Sequence, residues 1–206
     1  MEPESLSPDH VPETARALAR AFRDNAGFVH GLRGVEADAR ERKLVRMMGS
    51  FARACIAYGD ATIVRDASGS IGGAALAYPP GAYPLSFAGW IRNGWGALGI
   101  GPSHTIRLAR LDSYMAKRHI KEPHWYLFVL GVDPSHQGTG MGGALLRRLN
   151  QAADAAHMPC YLETDEERNV GLYRRYGYDI IDEADTPFGF HMWHMKRSPV
   201  TPTSSS

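Results

Sequence analysis

Two short stretches of this sequence carry residues whose types and spacing suit anion binding and proton transfer. The first, VDPSHQGTGMGGALL (Val132–Leu146), sets Gly138, Gly140, Gly142 and Gly143 between an apolar run and a helical one. Glycines so placed let successive backbone N–H groups and the positive end of a helix close around a phosphate. The second, RNVGLYRRYG (Arg168–Gly177), reads as a helix stopped by its glycine. Asn169 and Tyr173 stand four apart in it and share one face.

The glycine loop has two readings. From Gly138 to Gly143 it satisfies G-x-G-x-x-G, the dinucleotide fingerprint, and Glu163 stands about 20 residues further on, where a ribose-binding acid belongs. In that fingerprint, however, the first glycine follows its strand almost directly. Here Asp133 to Gln137 intervene, pinned by Pro134, and 43 residues after Glu163 leave no room for a doubly wound sheet. A P-loop also fails, because no Gly-Lys-Ser/Thr follows. The second reading counts from Gln137, as Q-x-x-G-x-G opening a helix.

That pattern resembles the acyl-coenzyme A loop of the GNAT acetyltransferase superfamily, and N-x-x-x-Y-x-x-x-G-[YF] over Asn169–Tyr178 resembles it too. KEPHWYLFVLGVDPSHQGTGMGGALL and MPCYLETDEERNVGLYRRYGY are similar to the branch containing puromycin N-acetyltransferase, convincingly from Lys121 to about Tyr178. The resemblance implies an α+β fold. It would be a single domain over 1–197, whose central, mostly antiparallel sheet contains one splayed parallel strand pair and is flanked by helices. The coenzyme-binding core is expected at about 121–182, a substrate cap at about 81–121 and a disordered tail at 198–206.

The resemblance also implies acetyl-coenzyme A as acyl donor and a primary amine of a small molecule, an antibiotic or a metabolite, as acceptor. The coenzyme would meet Leu130, Gly131 and Val132 on the splayed strand, then Gln137, Gly138, Thr139, Gly140, Met141, Gly142 and Gly143, and finally Asn169 and Tyr173. Backbone freed near Leu130–Val132 would hold the pantetheine arm and donate to the oxyanion, with Gly131 easing the strand distortion. Tyr173 is the expected general acid, since a phenol of pKa about 10 is protonated at neutral pH. Glu163 is a candidate base, or a carboxylate satisfied by a neighbour such as Arg168. Glu122 and His124 are weaker candidates, and a water chain to solvent is a further route. Two other functions stay open: acetylation of a protein lysine or N-terminus, and coenzyme A sensing without turnover.

Several elements must position these residues. ETARALARAF (Glu13–Phe22) repeats apolar residues at helical spacing, and Glu36–Gly59 reads as a second helix. ATIVRD and IGGAALAYPP form a hairpin around ASGS. HWYLFVLGV (His124–Val132) is almost all apolar, the mark of a central strand buried on both faces. A helix over 141–157, a short strand PCYLET and two closing strands, YDIIDEAD and FGFHMWHMKR, complete the order. Between Gly81 and Lys121 one or two helices with a glycine break are expected, and Phe87, Trp90 and Trp95 there could wall an amine pocket. The superfamily's usual first strand is hardly visible in MEPESLSPDH.

Composition bounds the function classes. The 206 residues are 44% hydrophobic and 22% charged, with a net charge of +1, so no nucleic-acid partner is expected. No run of about 18 apolar residues suggests a membrane span, and the polar N-terminus is unlike a signal peptide. Cys55 and Cys160 lie in apolar surroundings and read as reduced, which suits the cytoplasm. Nine scattered histidines, with His191 and His194 the closest pair, predict no metal site. A homodimer is compatible with all of this.

Overall fold

The computed structural model describes residues 1–84 and 100–200. Phe87, Trp90 and Trp95 of the expected cap, and residues 201–206 of the expected tail, lie outside the described residues. In chain order the elements are β1 (Glu4–Ser5), α1 (Val11–Ala21), α2 (Ala26–Gly31), α3 (Ala37–Tyr58), β2 (Asp60–Arg65) and β3 (Ile71–Tyr78). There follow α4 (Pro102–Arg118), β4 (Trp125–Val132), α5 (Met141–Ala155), β5 (Cys160–Thr164), α6 (Glu167–Arg175), β6 (Asp179–Asp185) and β7 (His191–Arg197). The strands form one sheet in the order β1-β2-β3-β4-β5-β7-β6. Every neighbouring pair is antiparallel except β4 with β5.

Apolar side chains alternate across this sheet into two cores. Leu18, Leu44, Met48, Ile63 and Leu76 gather on the face covered by α1 and α3. Leu127, Leu145, Leu149, Leu162 and Tyr173 gather on the face covered by α5 and α6. Each fully buried Leu or Met contributes about 1.5–3 kcal/mol relative to exposure. All eight residues of β3 are buried, as a strand with helices on both faces requires. The strand expected to be buried on both faces, β4, is fourth of seven but only half its residues are buried. It borders an opening rather than a continuous sheet.

The first strand exists but is two residues long, pairing Glu4 with Ile63 and Ser5 with Thr62. Pro3 and Pro8, which lack N–H donors, bracket it. Helix α2, which no apolar repeat announces, is capped by Asn25, whose side chain accepts from the Phe28 N–H. Helix α4 begins straight after Gly101, and the stretch before residue 100 in which a further helix was expected lies outside the described residues. At the other end the Val200 N–H donates to Asp154 at 2.8 Å, tying the start of the expected tail to α5.

Strand β4 holds an irregularity. Leu76 pairs with Val129 and Ala77 with Leu127, so Phe128 is an extra residue without a partner on β3. Tyr126, Phe128 and Val129 belong to the α1/α3 face, whereas Leu127, Leu130 and Val132 belong to the other. The distortion is therefore at Phe128 and not at Gly131, which was expected to ease it. Gly131 answers a different need: a Cβ there would stand 2.7 Å from Leu18 and 2.9 Å from Phe22 of the α1 segment.

Candidate active site

Strands β4 and β5 are registered only at Trp125 with Cys160 and Tyr126 with Tyr161. Beyond Tyr126 the edge of β4 that faces β5 is open through Leu130, Gly131 and Val132. Two features of β4 accompany this parting: the extra residue at Phe128 shifts the pleat, and the α1 segment lies close against Gly131. Backbone donors and acceptors on that edge have no strand to pair with, which makes them available to an extended ligand.

The glycine loop begins where β4 ends. Gly138 has φ +80° and Gly140, the N-cap of α5, has φ +89°. Both lie in the left-handed region that an L side chain occupies only at a cost of about 1–2 kcal/mol. A Cβ at either would meet nothing within 4 Å, so these glycines are set by conformation and face open space. Gly142 lies in ordinary contact distance of Val132 and Leu172, and Gly143 is packed against the Tyr176 hydroxyl. Met141 points inward and is 1% exposed, leaving its backbone N–H as the group it can offer. Gln137 donates from Nε2 to the Val132 carbonyl at 3.3 Å, and Thr139 donates from Oγ1 to the His136 carbonyl at 2.6 Å.

The loop is braced on both sides. Arg20 of α1 donates to Asp133 at 2.6 Å, and Asp133 accepts from the Ser135 hydroxyl at 2.6 Å. Burial would raise the Asp133 pKa, but hydrogen bonds from Ser135 and Arg20 outweigh it and hold the carboxyl below its usual range. His136 Nε2 lies 2.9 Å from Asp66 in the β2–β3 turn. Sequence reasoning missed Arg20 and Asp66, which are far away in the chain.

Asn169 and Tyr173 follow on α6. The helix ends as expected at Gly177, at φ +86°, where the Tyr178 N–H reaches back to the Tyr173 carbonyl at 3.2 Å. Tyr173 is 6% exposed and packs edge-on against Tyr178. Burial first, and the charge of Asp165 second, push its pKa above that of an ordinary phenol. Its hydroxyl has no hydrogen-bond partner among the described residues.

A cluster of ionisable groups lies on the opposite face of the opening. The Glu163 side chain is 6% exposed. His119, which caps the C-terminus of α4, places Nδ1 3.2 Å from Glu163 and Nε2 2.9 Å from His124 Nε2. His124 Nδ1 is 2.6 Å from the Glu122 carbonyl oxygen. Tyr161 places its hydroxyl 2.6 Å from His194 Nδ1, and His194 stands opposite Glu163 across β5 and β7. Burial, reinforced by the Glu163 charge, keeps Tyr126 and Tyr161 protonated far above neutral pH. Arg168 pairs with Glu166 rather than Glu163, and the Glu122 carboxylate is held by Lys196. Of the candidate bases, Glu163 and His124 are thus joined in one chain. His119 is the link that sequence reasoning missed; its nearness to the Lys121–Trp125 motif was the available signal.

Among the described residues no group of three His, Cys, Asp or Glu side chains is arranged to hold a metal ion. No helix among them is long and apolar enough to cross a membrane. Cys55 and Cys160 are unpaired, buried and assigned to opposite cores.

Residues 104–180 match the family described as the acetyltransferase (GNAT) domain. The matched stretch runs from α4 to the start of β6, and the sheet with its one parallel pair is a GNAT-like α+β fold. A Corynebacterium glutamicum structure described as histone acetyltransferase HPA2 and related acetyltransferase superposes with a TM-score of 0.71 at 24% identity, covering 98% of each chain. Arylalkylamine N-acetyltransferase 2 from Aedes aegypti superposes at 0.63 and 12% identity, over 96% of this chain and 98% of its own. Among curated relatives, mycothiol acetyltransferase from Mycolicibacterium gilvum is 38% identical over 64 aligned residues, 27% of this chain and 21% of its own. The chain thus spans about a fifth of the length of the curated relatives it matches.

Proposed function

We propose that the protein transfers an acetyl group from acetyl-coenzyme A to a primary amine of a small molecule, an antibiotic or metabolite of the kind the puromycin branch acts on. The observation that carries this reading is the registration of β4 with β5 at two positions only, beside a loop whose left-handed glycines face open space. Such a loop at a helix N-terminus suits a pyrophosphate, and the open edge at Leu130–Val132 suits the amide-bearing arm attached to it. Asn169 is the polar side chain on α6 available to that arm.

The chemistry asks for a neutral amine, a stabilised oxyanion and a proton for the departing sulfur. Glu163 takes the amine proton, directly or through water, so that the nitrogen lone pair can form the new C–N bond. A backbone N–H of the open β4 edge donates to the carbonyl oxygen as it gathers charge. Tyr173 gives its hydroxyl proton to the sulfur as the C–S bond breaks. A raised phenol pKa keeps that proton in place at working pH, and the unpartnered hydroxyl leaves it free to move. Partly buried aromatic residues on the Glu163 face, Tyr83 and Phe128 among them, favour an amine with an apolar body.

A thiol-release assay with acetyl-coenzyme A against a panel of primary amines, puromycin included, tests the reading. Release that depends on an amine and is lost in Y173F supports it. Release only with peptide lysines or N-termini, or coenzyme binding with no release at all, would replace it with one of the other functions.

A further inference from the structure

The ring nitrogens of His119 and His124 lie in one line between Glu163 and the Glu122 carbonyl, through contacts of 3.2, 2.9 and 2.6 Å. A carbonyl oxygen can only accept, so His124 carries its proton on Nδ1 and accepts at Nε2. His119 must then donate from Nε2, which turns the bare Nδ1 toward the Glu163 carboxylate. Two lone-pair atoms at 3.2 Å repel unless a proton lies between them. Three hydrogen bonds need three protons, and two neutral imidazoles carry two. The arrangement is complete only with one additional proton shared by Glu163 and His119.

We propose that His119 and His124 are positioning residues for the acetyl-transfer reaction, forming a relay that carries the amine proton from Glu163 to solvent. The inference rests on the acetyl-transfer reading above. In each turnover the shared proton first settles on His119 Nδ1, the Nε2 proton of His119 moves to His124 Nε2, and the imidazolium of His124 releases one proton to water, which leaves Glu163 as a carboxylate. The amine N–H bond then breaks and an O–H bond forms on Glu163, so the chain again holds three protons. No oxidant or further reactant is needed.

The surroundings suit a relay that does not hold the proton permanently. Burial lowers the pKa of His124, partly offset by its hydrogen bond to the Glu122 carbonyl. The charged groups packed around the chain are mostly closed into pairs: Arg118 of α4 with Asp182 of β6, and Lys196 of β7 with Glu122. Asp112 of α4 accepts from the Tyr83 hydroxyl, and burial raises its pKa. Tyr126, Tyr161 and His194 complete the surroundings, and burial favours their neutral forms. Glu163 thus faces His119 together with the hydroxyls of Tyr126 and Tyr161.

Two measurements decide this. Nitrogen-15 NMR on the resting enzyme follows the protonation of His119 and His124 with pH in wild type and E163Q. The glutamine amide can donate to His119 Nδ1 itself, so the Nδ1 proton signal present in wild type should be lost in E163Q. An identical His119 Nδ1 signal in the two proteins would overturn the shared proton. For turnover, H119Q and H124Q should lower kcat by about 10- to 100-fold and move its rise to higher pH. The KM for acetyl-coenzyme A should stay within about twofold, and added imidazole should restore part of the rate. Wild-type kcat–pH curves in both variants would overturn the relay. If no amine is turned over by wild type, the acetyl-transfer reading fails, and the NMR titration still decides whether the proton is shared.

Discussion

Asp66, in the turn between β2 and β3, accepts a hydrogen bond from His136 Nε2 at 2.9 Å, and so ties the far end of a hairpin to the mouth of the glycine loop. The Ser68 hydroxyl and then His136 hold the Asp66 carboxyl down to about 2. A depressed carboxylate contributes stability that is present above its unfolded pKa, near 4, and is lost as pH falls through about 2. The brace should therefore survive mild acid. D66N should leave the fold intact and raise the KM for acetyl-coenzyme A by roughly threefold to tenfold, the scale of one hydrogen bond. Steady-state kinetics with the acceptor saturating checks this, and an unchanged KM would show that the loop holds its shape without the hairpin.

Substitutions at two glycines of the loop should separate conformation from packing. Gly140, at φ +89°, has open space where a side chain would go, whereas Gly142 has ordinary neighbours at 3.6 and 3.9 Å. Gly140→Val should abolish the rise in Tm that acetyl-coenzyme A gives, because backbone strain and a side chain both intrude on the anion's position. Gly142→Ala should retain most of it. NADH should give no shift with any of the proteins, and a shift with NADH alone would restore the dinucleotide reading.

At Gly131 the effect should fall on folding. An added methyl meets Leu18 and Phe22 at under 3 Å, and overpacking of this sort costs about 1–3 kcal/mol. Urea denaturation of Gly131→Ala should show a lower midpoint with an unchanged slope. An unchanged midpoint would mean that α1 can move away from β4 freely.

Tyr173→Phe removes a proton donor while keeping the ring that packs against Tyr178. Affinity for acetyl-coenzyme A and Tm should stay close to wild type, and kcat should fall by about 10²- to 10⁴-fold where chemistry limits the rate. A wild-type single-turnover rate would reduce Tyr173 to a packing residue.

The cysteines give a simple chemical test. Burial pushes the Cys55 thiol up to about 12 and the Cys160 thiol up to about 11, and thiolate is the reactive form. Iodoacetamide should modify neither in the folded protein at pH 8 on the timescale that suffices in denaturant. Recovery of a Cys55–Cys160 disulfide from the folded protein would contradict their assignment to opposite faces of the sheet.

What the sequence made legible was local. The loop from Gln137 to Gly143 and the Asn169–Tyr173 pair stand out because the residues of each pattern lie close together in the chain. Contacts closed by the fold left no such mark. His119 reaches Glu163 across 44 positions and Asp66 reaches His136 across 70, and no periodicity connects them. Helix α2 went unseen because six residues, AGFVHG, are too few to show a repeat. The irregularity in β4 was hidden for another reason. In a run as apolar as WYLFVLGV nothing in the residue types reveals which side each one faces.

That last point bears on Phe128. One unpaired residue reverses the phase of a strand: before it the odd-numbered residues of β4 face α5, and after it the even-numbered ones do. Deleting Phe128 would give β4 an unbroken ladder with β3 and restore strict alternation. Because Phe128 and Val129 are consecutive on one face, every remaining residue would keep its side: Trp125, Leu127, Leu130 and Val132 toward α5, Tyr126 and Val129 toward α1 and α3. What the regular strand would lose is the Phe128 ring, which lies against Phe51, Tyr78, Tyr83 and Tyr126: the irregularity lets one strand set an additional aromatic side chain on that face without turning its neighbours.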